Sequence, residues 1–135
     1  MPIKINHLAI VVPNLESALA FWHDAIGLEL GGREENPGEN VNIGFLQIGD
    51  SRLELLEPTN NDSGIGRYLE KRGPGMHHLC IEVENLEASM EQLRQKGIEL
   101  INDTPKIRHE DGIRYCFIHP KSAFGVMVEL YELPH

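Results

Sequence analysis

Basic residues are scarce. Twelve Lys and Arg stand against 21 Asp and Glu, a formal net charge of −9 in 135 residues. The chain therefore lacks the clustered cationic face that a nucleic-acid backbone demands, and RNA or DNA binding is not expected. Cysteine is limited to Cys80 and Cys116, each inside an apolar strand-like run where a thiol packs as a small hydrophobe. Both are read as reduced and structural, with an intramolecular disulfide the lesser alternative. Long hydrophobic runs are missing as well. The first residues hold only the short apolar stretch Leu8 to Val12, too brief for a signal-peptide core or a membrane span, so no membrane association is expected and cytoplasmic residence is the default. Low-complexity segments and charge blocks are absent. What remains is 41% hydrophobic and 24% charged, the profile of a soluble globular chain long enough for a single domain.

The feature present in place of these is an internal repeat. Residues 7–30 (HLAIVVPNLESALAFWHDAIGLEL) and 78–100 (HLCIEVENLEASMEQLRQKGIEL) share His, Leu, Ile, Val, Asn, Leu, Glu, Gly, Glu and Leu at matching places once one gap is allowed. The offset is 71 between His7 and His78 and 70 between Gly27 and Gly97, which marks two tandem modules. Each opens with an apolar strand and reaches Asn14 or Asn85 as the N-cap of a helix. Leu15, Ala18, Leu19 and Trp22 form one apolar stripe, and Leu86, Met90 and Leu93 the other. Gly27 and Gly97 follow as C-terminal caps, and a strand restarts at residues 28–30 and 98–101. Downstream, VNIGFLQIGDSRLELLEP reads as two strands around Gly49-Asp50-Ser51, and IRYCFIHPKSAFGVMVELYE as two strands around a longer loop. The expectation is an α+β chain of two βαβββ modules, at about 1–60 and 76–135. A linker with a short helix near residues 65–71 fills about 61–75.

Alternation along a strand puts Leu8, Ile10 and Val12 on one face and His7, Ala9 and Val11 on the other. The second module repeats this with Leu79, Ile81 and Val83 against His78, Cys80 and Glu82. The helices should cover the leucine faces, leaving both histidines on the uncovered ones. Each module's last strand carries a glutamate between apolar neighbours, Glu54 and Glu129. An ionised carboxylate enclosed among strands is costly unless paired, hydrogen-bonded or bound to metal. Two His and two Glu at duplicated positions make a divalent-metal site for Zn, Ni, Co or Mn if the two sheets curve together around it. His77 is expected on the opposite face, and His119 opens a loop.

With these residues in place, the sequence resembles the vicinal-oxygen-chelate (glyoxalase-like) superfamily, whose paired βαβββ modules each give a His and a Glu or Gln to a metal. Within it, LELLEPTNNDS, LEKRGPGMHH and FIHPKSAFGVMVEL are similar to the methylmalonyl-CoA epimerase family in order and spacing. The turn His119-Pro120-Lys121-Ser122 favours that family over glyoxalase I. The resemblance implies that His7, Glu54, His78 and Glu129 hold the metal and that Glu129 also moves a proton. It implies an acyl-CoA thioester as substrate, touched by Lys121 and Ser122 of the matched turn, and a homodimer. The reaction implied is interconversion of methylmalonyl-CoA epimers by proton abstraction alpha to the thioester. A glyoxalase I-type lyase or isomerase on a thiol adduct, or a non-catalytic metal- or ligand-binding protein, are the alternatives. One departure stands out: where some epimerases place a second glutamate, this chain has Ile43, with Asn42 beside it. Lys71, Arg72, Lys106, Arg108 and Lys121 are the candidate partners for CoA phosphates, and Arg108 to Gly112 reads either as a loop that shapes substrate access or as a solvated hairpin tip.

Overall fold

A computed structural model describes residues 2–135 of the chain. It divides into two compact units, one of residues 7–77 and one of residues 78–135 together with residues 2–6. The fold is α+β with mixed sheets, as the repeat predicts.

Strand β1 (Pro2–Val11), which belongs to the first unit from His7 onward, leads to α1 (Leu15–Leu19), which runs on as a π turn over Ala20–Ala25. Strands β2 (Glu29–Asn36), β3 (Val41–Ile48) and β4 (Ser51–Pro58) and helix α2 (Gly64–Arg72) follow. The strand order is β2-β3-β4-β1, with β1 parallel to β4 and the other pairs antiparallel. Asn14 accepts the Ser17 amide at 2.8 Å, satisfying one of the amide donors that a helix start leaves unpaired. The buried face of α1 packs Leu15 and Leu19 on Val12, Leu46, Leu53 and Leu55, with Leu8, Ile10 and Trp22 at the margin. Gly44 has no side chain because an added Cβ would meet Leu15 at 3.1 Å. The opposite sheet face buries Ala9, Val11, Val41 and Leu56, and Ile65, Tyr68 and Leu69 of α2 cover it.

In the second unit, β5 (Gly75–Val83) is followed by α3 (Leu86–Gln95), β6 (Lys106–Ile107), β7 (Arg114–Ile118) and β8 (Val128–Glu132). The order is β5-β8-β7-β6, with β5 parallel to β8. Asn85 caps α3 through the Ala88 amide at 3.0 Å. Leu86 and Met90 pack on Val83, Cys116, Ile118 and Leu130. The strand expected at 98–101 is reduced to a single bridge between Leu100 and Ile118. Asn102 Oδ1 takes the Phe117 amide at 2.7 Å, so a side chain replaces the next ladder partner. Pro105, which has no N–H to give, delays regular pairing to Lys106. Among the described residues no helix is long and apolar enough to cross a membrane, and both cysteines are buried thiols with no disulfide between them.

Candidate metal centre and active site

Parallel pairing sets the registers that matter. In the first unit Ala9 lies opposite Glu54, so His7 and Glu54 leave neighbouring strands on the face that α1 does not cover. His7 is 1% exposed, and its Nδ1 lies 3.4 Å from Glu54 Oε2. In the second unit Cys80 lies opposite Glu129, and His78 Nε2 lies 3.3 Å from Glu129 Oε1. Both of these residues are buried too. Each unit therefore brings together the His and Glu expected of it, at the same register.

The donor chemistry fits a divalent ion. Two ligands held at about 2.0–2.2 Å from a common ion sit roughly 3.0–3.5 Å apart, which is the spacing of each pair. An imidazole nitrogen and a carboxylate oxygen suit Zn, Ni, Co and Mn. Burial of His7, His78 and Glu129 strengthens the case, because these groups have given up water for partners that an ion would complete.

Aromatic rings frame both pairs. Phe45 is the antiparallel partner of Glu54, and Phe117 that of Glu129. Phe117 stands edge-on to the His78 ring, centroids 5.7 Å apart, which fixes the imidazole plane. Phe45 instead lies under Arg52, whose guanidinium carbon is 5.2 Å from the ring centroid. Arg52 Nη2 reaches Glu54 Oε2 at 3.1 Å.

The remaining sites named from sequence lie as follows. Pro120–Ala123 is one 3-10 turn capped by His119, whose Nδ1 accepts the Lys121 amide at 3.0 Å. Ser122 Oγ accepts the Glu99 amide at 3.0 Å, so its own proton stays available to donate. Lys121 is exposed. His77 packs its ring edge-on against Tyr68, centroids 5.0 Å apart. Ile43 shares Glu54's sheet face and pairs with Leu56, so no carboxylate stands at that position. The 108–112 segment is not a loose tip. Arg108 bonds Asp111 at 2.6 Å and the Tyr131 hydroxyl at 3.1 Å, with its guanidinium over the Tyr131 ring. The hydrogen bond from Arg108 holds the Asp111 carboxyl below the usual carboxylate range.

Sequence reasoning missed two glutamates that build the frame. Glu57 Oε2 accepts the first amide of α1, Leu15, at 2.9 Å, while its Oε1 accepts from Asn42 at 2.9 Å. Glu132 Oε2 does the same for Leu86 of α3 at 3.0 Å, while its Oε1 accepts from Arg114 at 3.0 Å. The signal was there in Glu54-Leu55-Leu56-Glu57 and Glu129-Leu130-Tyr131-Glu132, a Glu-x-x-Glu repeated 75 residues apart. In each strand the first glutamate turns to the open face and the second turns to the helix.

Comparison with known proteins agrees with this construction. The Glyoxalase/Bleomycin resistance protein/Dioxygenase superfamily pattern matches residues 6–117. The human mitochondrial methylmalonyl-CoA epimerase is 39% identical over 130 residues, covering 96% of this chain and 73% of that protein. An ethylmalonyl-CoA/methylmalonyl-CoA epimerase of Cereibacter sphaeroides is 36% identical, covering 96% of this chain and 98% of its own length. Among solved structures, a Streptomyces coelicolor methylmalonyl-CoA epimerase in complex with 2-nitronate-propionyl-CoA superimposes with a TM-score of 0.86 at 32% identity, covering 98% of this chain and 96% of that one. The chain belongs to the glyoxalase/bleomycin resistance protein/dioxygenase superfamily and, within it, to the methylmalonyl-CoA epimerase family.

Proposed function

We propose that this protein interconverts the epimers of methylmalonyl-CoA by moving the proton alpha to the thioester, with His7, Glu54, His78 and Glu129 jointly holding one divalent ion. The observation that carries the reading is the pair of a buried imidazole and a carboxylate, built twice at one register, in a chain of the epimerase family. When bound, the ion supplies Lewis-acid stabilisation of the negative charge that develops as the proton leaves. Everything else falls to the protein's own groups.

Glu129 takes the proton at a carboxylate oxygen. Its burial keeps bulk water from competing for that proton, and Phe117 braces His78 beside it. Leu130 and Tyr131, both buried, anchor the strand that carries it, so the carboxylate is pre-positioned. Ile43 gives the first unit an apolar wall where a second carboxylate would stand, so return of the proton to the opposite face falls to another group or to water. Lys121 and Ser122 offer an ammonium and a hydroxyl on a short, internally capped turn, suited to the polar oxygens of the CoA arm. Cytoplasmic residence and a homodimer belong to the same reading; two buried unbridged cysteines suit a reducing compartment.

The test is deuterium incorporation. The Co²⁺-loaded protein is incubated with methylmalonyl-CoA in D₂O and followed at C2 by NMR, beside a metal-stripped control. Exchange with epimer interconversion that vanishes on stripping is expected. Its absence from folded, metal-bound protein would move the reading to a glyoxalase-type reaction or to ligand binding.

A further inference from the structure

We propose that Arg52 is a charge-compensating positioning residue for Glu54 in the ion site; this inference rests on the metal-dependent reading above. Three observations converge on it. Arg52 Nη2 lies 3.1 Å from Glu54 Oε2, the same oxygen that faces His7 Nδ1 at 3.4 Å. The guanidinium lies over the ring of Phe45, itself the cross-strand partner of Glu54, and a planar cation on an aromatic face has a fixed position. Arg52 Nε is buried without a hydrogen-bond partner. An orphaned buried donor is unfavourable, so the side chain is held by the ring and the carboxylate, not by full satisfaction of its own donors.

In the second unit Glu129 matches Glu54, and the residue two places earlier is Met127. The consequence follows from counting charge. A divalent ion with two carboxylates and two neutral imidazoles is electrically neutral. A substrate that brings its own carboxylate and then develops a second negative charge needs a positive excess. Arg52 supplies one unit of it through its contact with Glu54 Oε2, without occupying a ligand position. It also repels the ion, so it trades ion affinity for anion affinity.

The experiment is a double-mutant cycle on Arg52 and Glu54 with two readouts: divalent-ion affinity, by Co²⁺ titration of the stripped full-length protein, and deuterium exchange into methylmalonyl-CoA. Arg52→Gln is expected to bind Co²⁺ about tenfold more tightly while exchange falls about tenfold, and Arg52→Lys is expected to retain most of both properties. Glu54→Gln, which leaves the arginine charge unopposed, should bind Co²⁺ at least tenfold more weakly. Arg52→Gln combined with Glu54→Gln should then bind more tightly than Glu54→Gln alone. Co²⁺ affinity of Arg52→Gln that is unchanged or weaker, or strictly additive effects in the cycle, would overturn the proposal. Wild-type protein that binds Co²⁺ but exchanges no proton would overturn the function reading instead, and the affinity cycle would still decide the role of Arg52.

Discussion

The two units are the same frame with different fillings. Both start the helix from an asparagine cap, tie its first amide to the second glutamate of a Glu-x-x-Glu strand, and hold a histidine beside the first glutamate. The differences lie one layer out. Phenylalanine at the matching register carries Arg52 in the first unit and braces His78 in the second. Ile43 in the first unit corresponds by register to Tyr115 in the second, and Gly44 to Cys116. The two units thus share the imidazole–carboxylate pair and the helix anchor and differ in the residues around them. Glu54 has Arg52 two places before it, and Glu129 has Met127.

The largest effect should come from the second unit's carboxylate. Glu129→Gln is expected to lower deuterium exchange at least about 10³-fold, the range lost when a general base that also binds the ion is removed. Its circular dichroism should match the wild type. Retained exchange would remove Glu129 from the chemistry.

Met127→Arg sharpens the comparison by giving the second unit the arginine of the first. A cation beside the carboxylate favours its ionised form and weakens it as a base, so exchange should fall roughly tenfold. Unaltered exchange in a folded variant would show that the contrast at this position has no catalytic consequence.

Next come the two helix-anchoring glutamates, which test whether the frames are equally stable. Glu132→Gln removes a buried, charge-assisted bond to Arg114 as well as altering the Leu86 anchor, and should cost about 2–3 kcal/mol. Glu57→Gln, with a neutral Asn42 partner, should cost about 1 kcal/mol. Thermal melts would show the first as the larger drop, by several degrees. Equal drops would mean the charge on Arg114 contributes nothing.

The smallest effect is alkaline. Burial pushes the Cys116 thiol from 9.0 up to about 11. A group whose folded pKa is raised contributes stability that is fully present below pH 9, declines as pH rises, and is lost through about pH 11. Cys116→Ala should therefore flatten the fall in melting temperature across that window, and thiol reagents at pH 8 should label Cys116 only after unfolding.

Much of the frame was legible from residues alone, because strand alternation needs only one dimension of information. Leu8, Ile10 and Val12 went to the helix and His7 to the other face for no reason beyond period two. Glu54 and Glu129 were found by the same rule. Glu57 and Glu132 were not, since a glutamate near a strand end looks solvated until a helix amide is brought to it across 42 or 46 residues. Arg52 was hidden differently. Its significance depends on the cross-strand register that puts Phe45 opposite Glu54, which no local pattern contains. The lost strand at 98–101 turned on Asn102 substituting for a backbone partner, a competition that propensity does not resolve.

The π turn at Ala20–Ala25 has a historical consequence. Between cap asparagine and terminal glycine the first copy holds one residue more than the second, the single gap needed to align them. The closing bond of the helix records where it went: Ile98 N–H reaches back five residues to Leu93, whereas Leu28 N–H reaches back six to Trp22. One wide turn accommodates the extra residue while both copies keep the asparagine cap and the His–Glu register. Codon-scale length changes in this helix are thus buffered locally, so deleting one residue from within 20–25 should restore an ordinary α-helical turn and leave the chain folded.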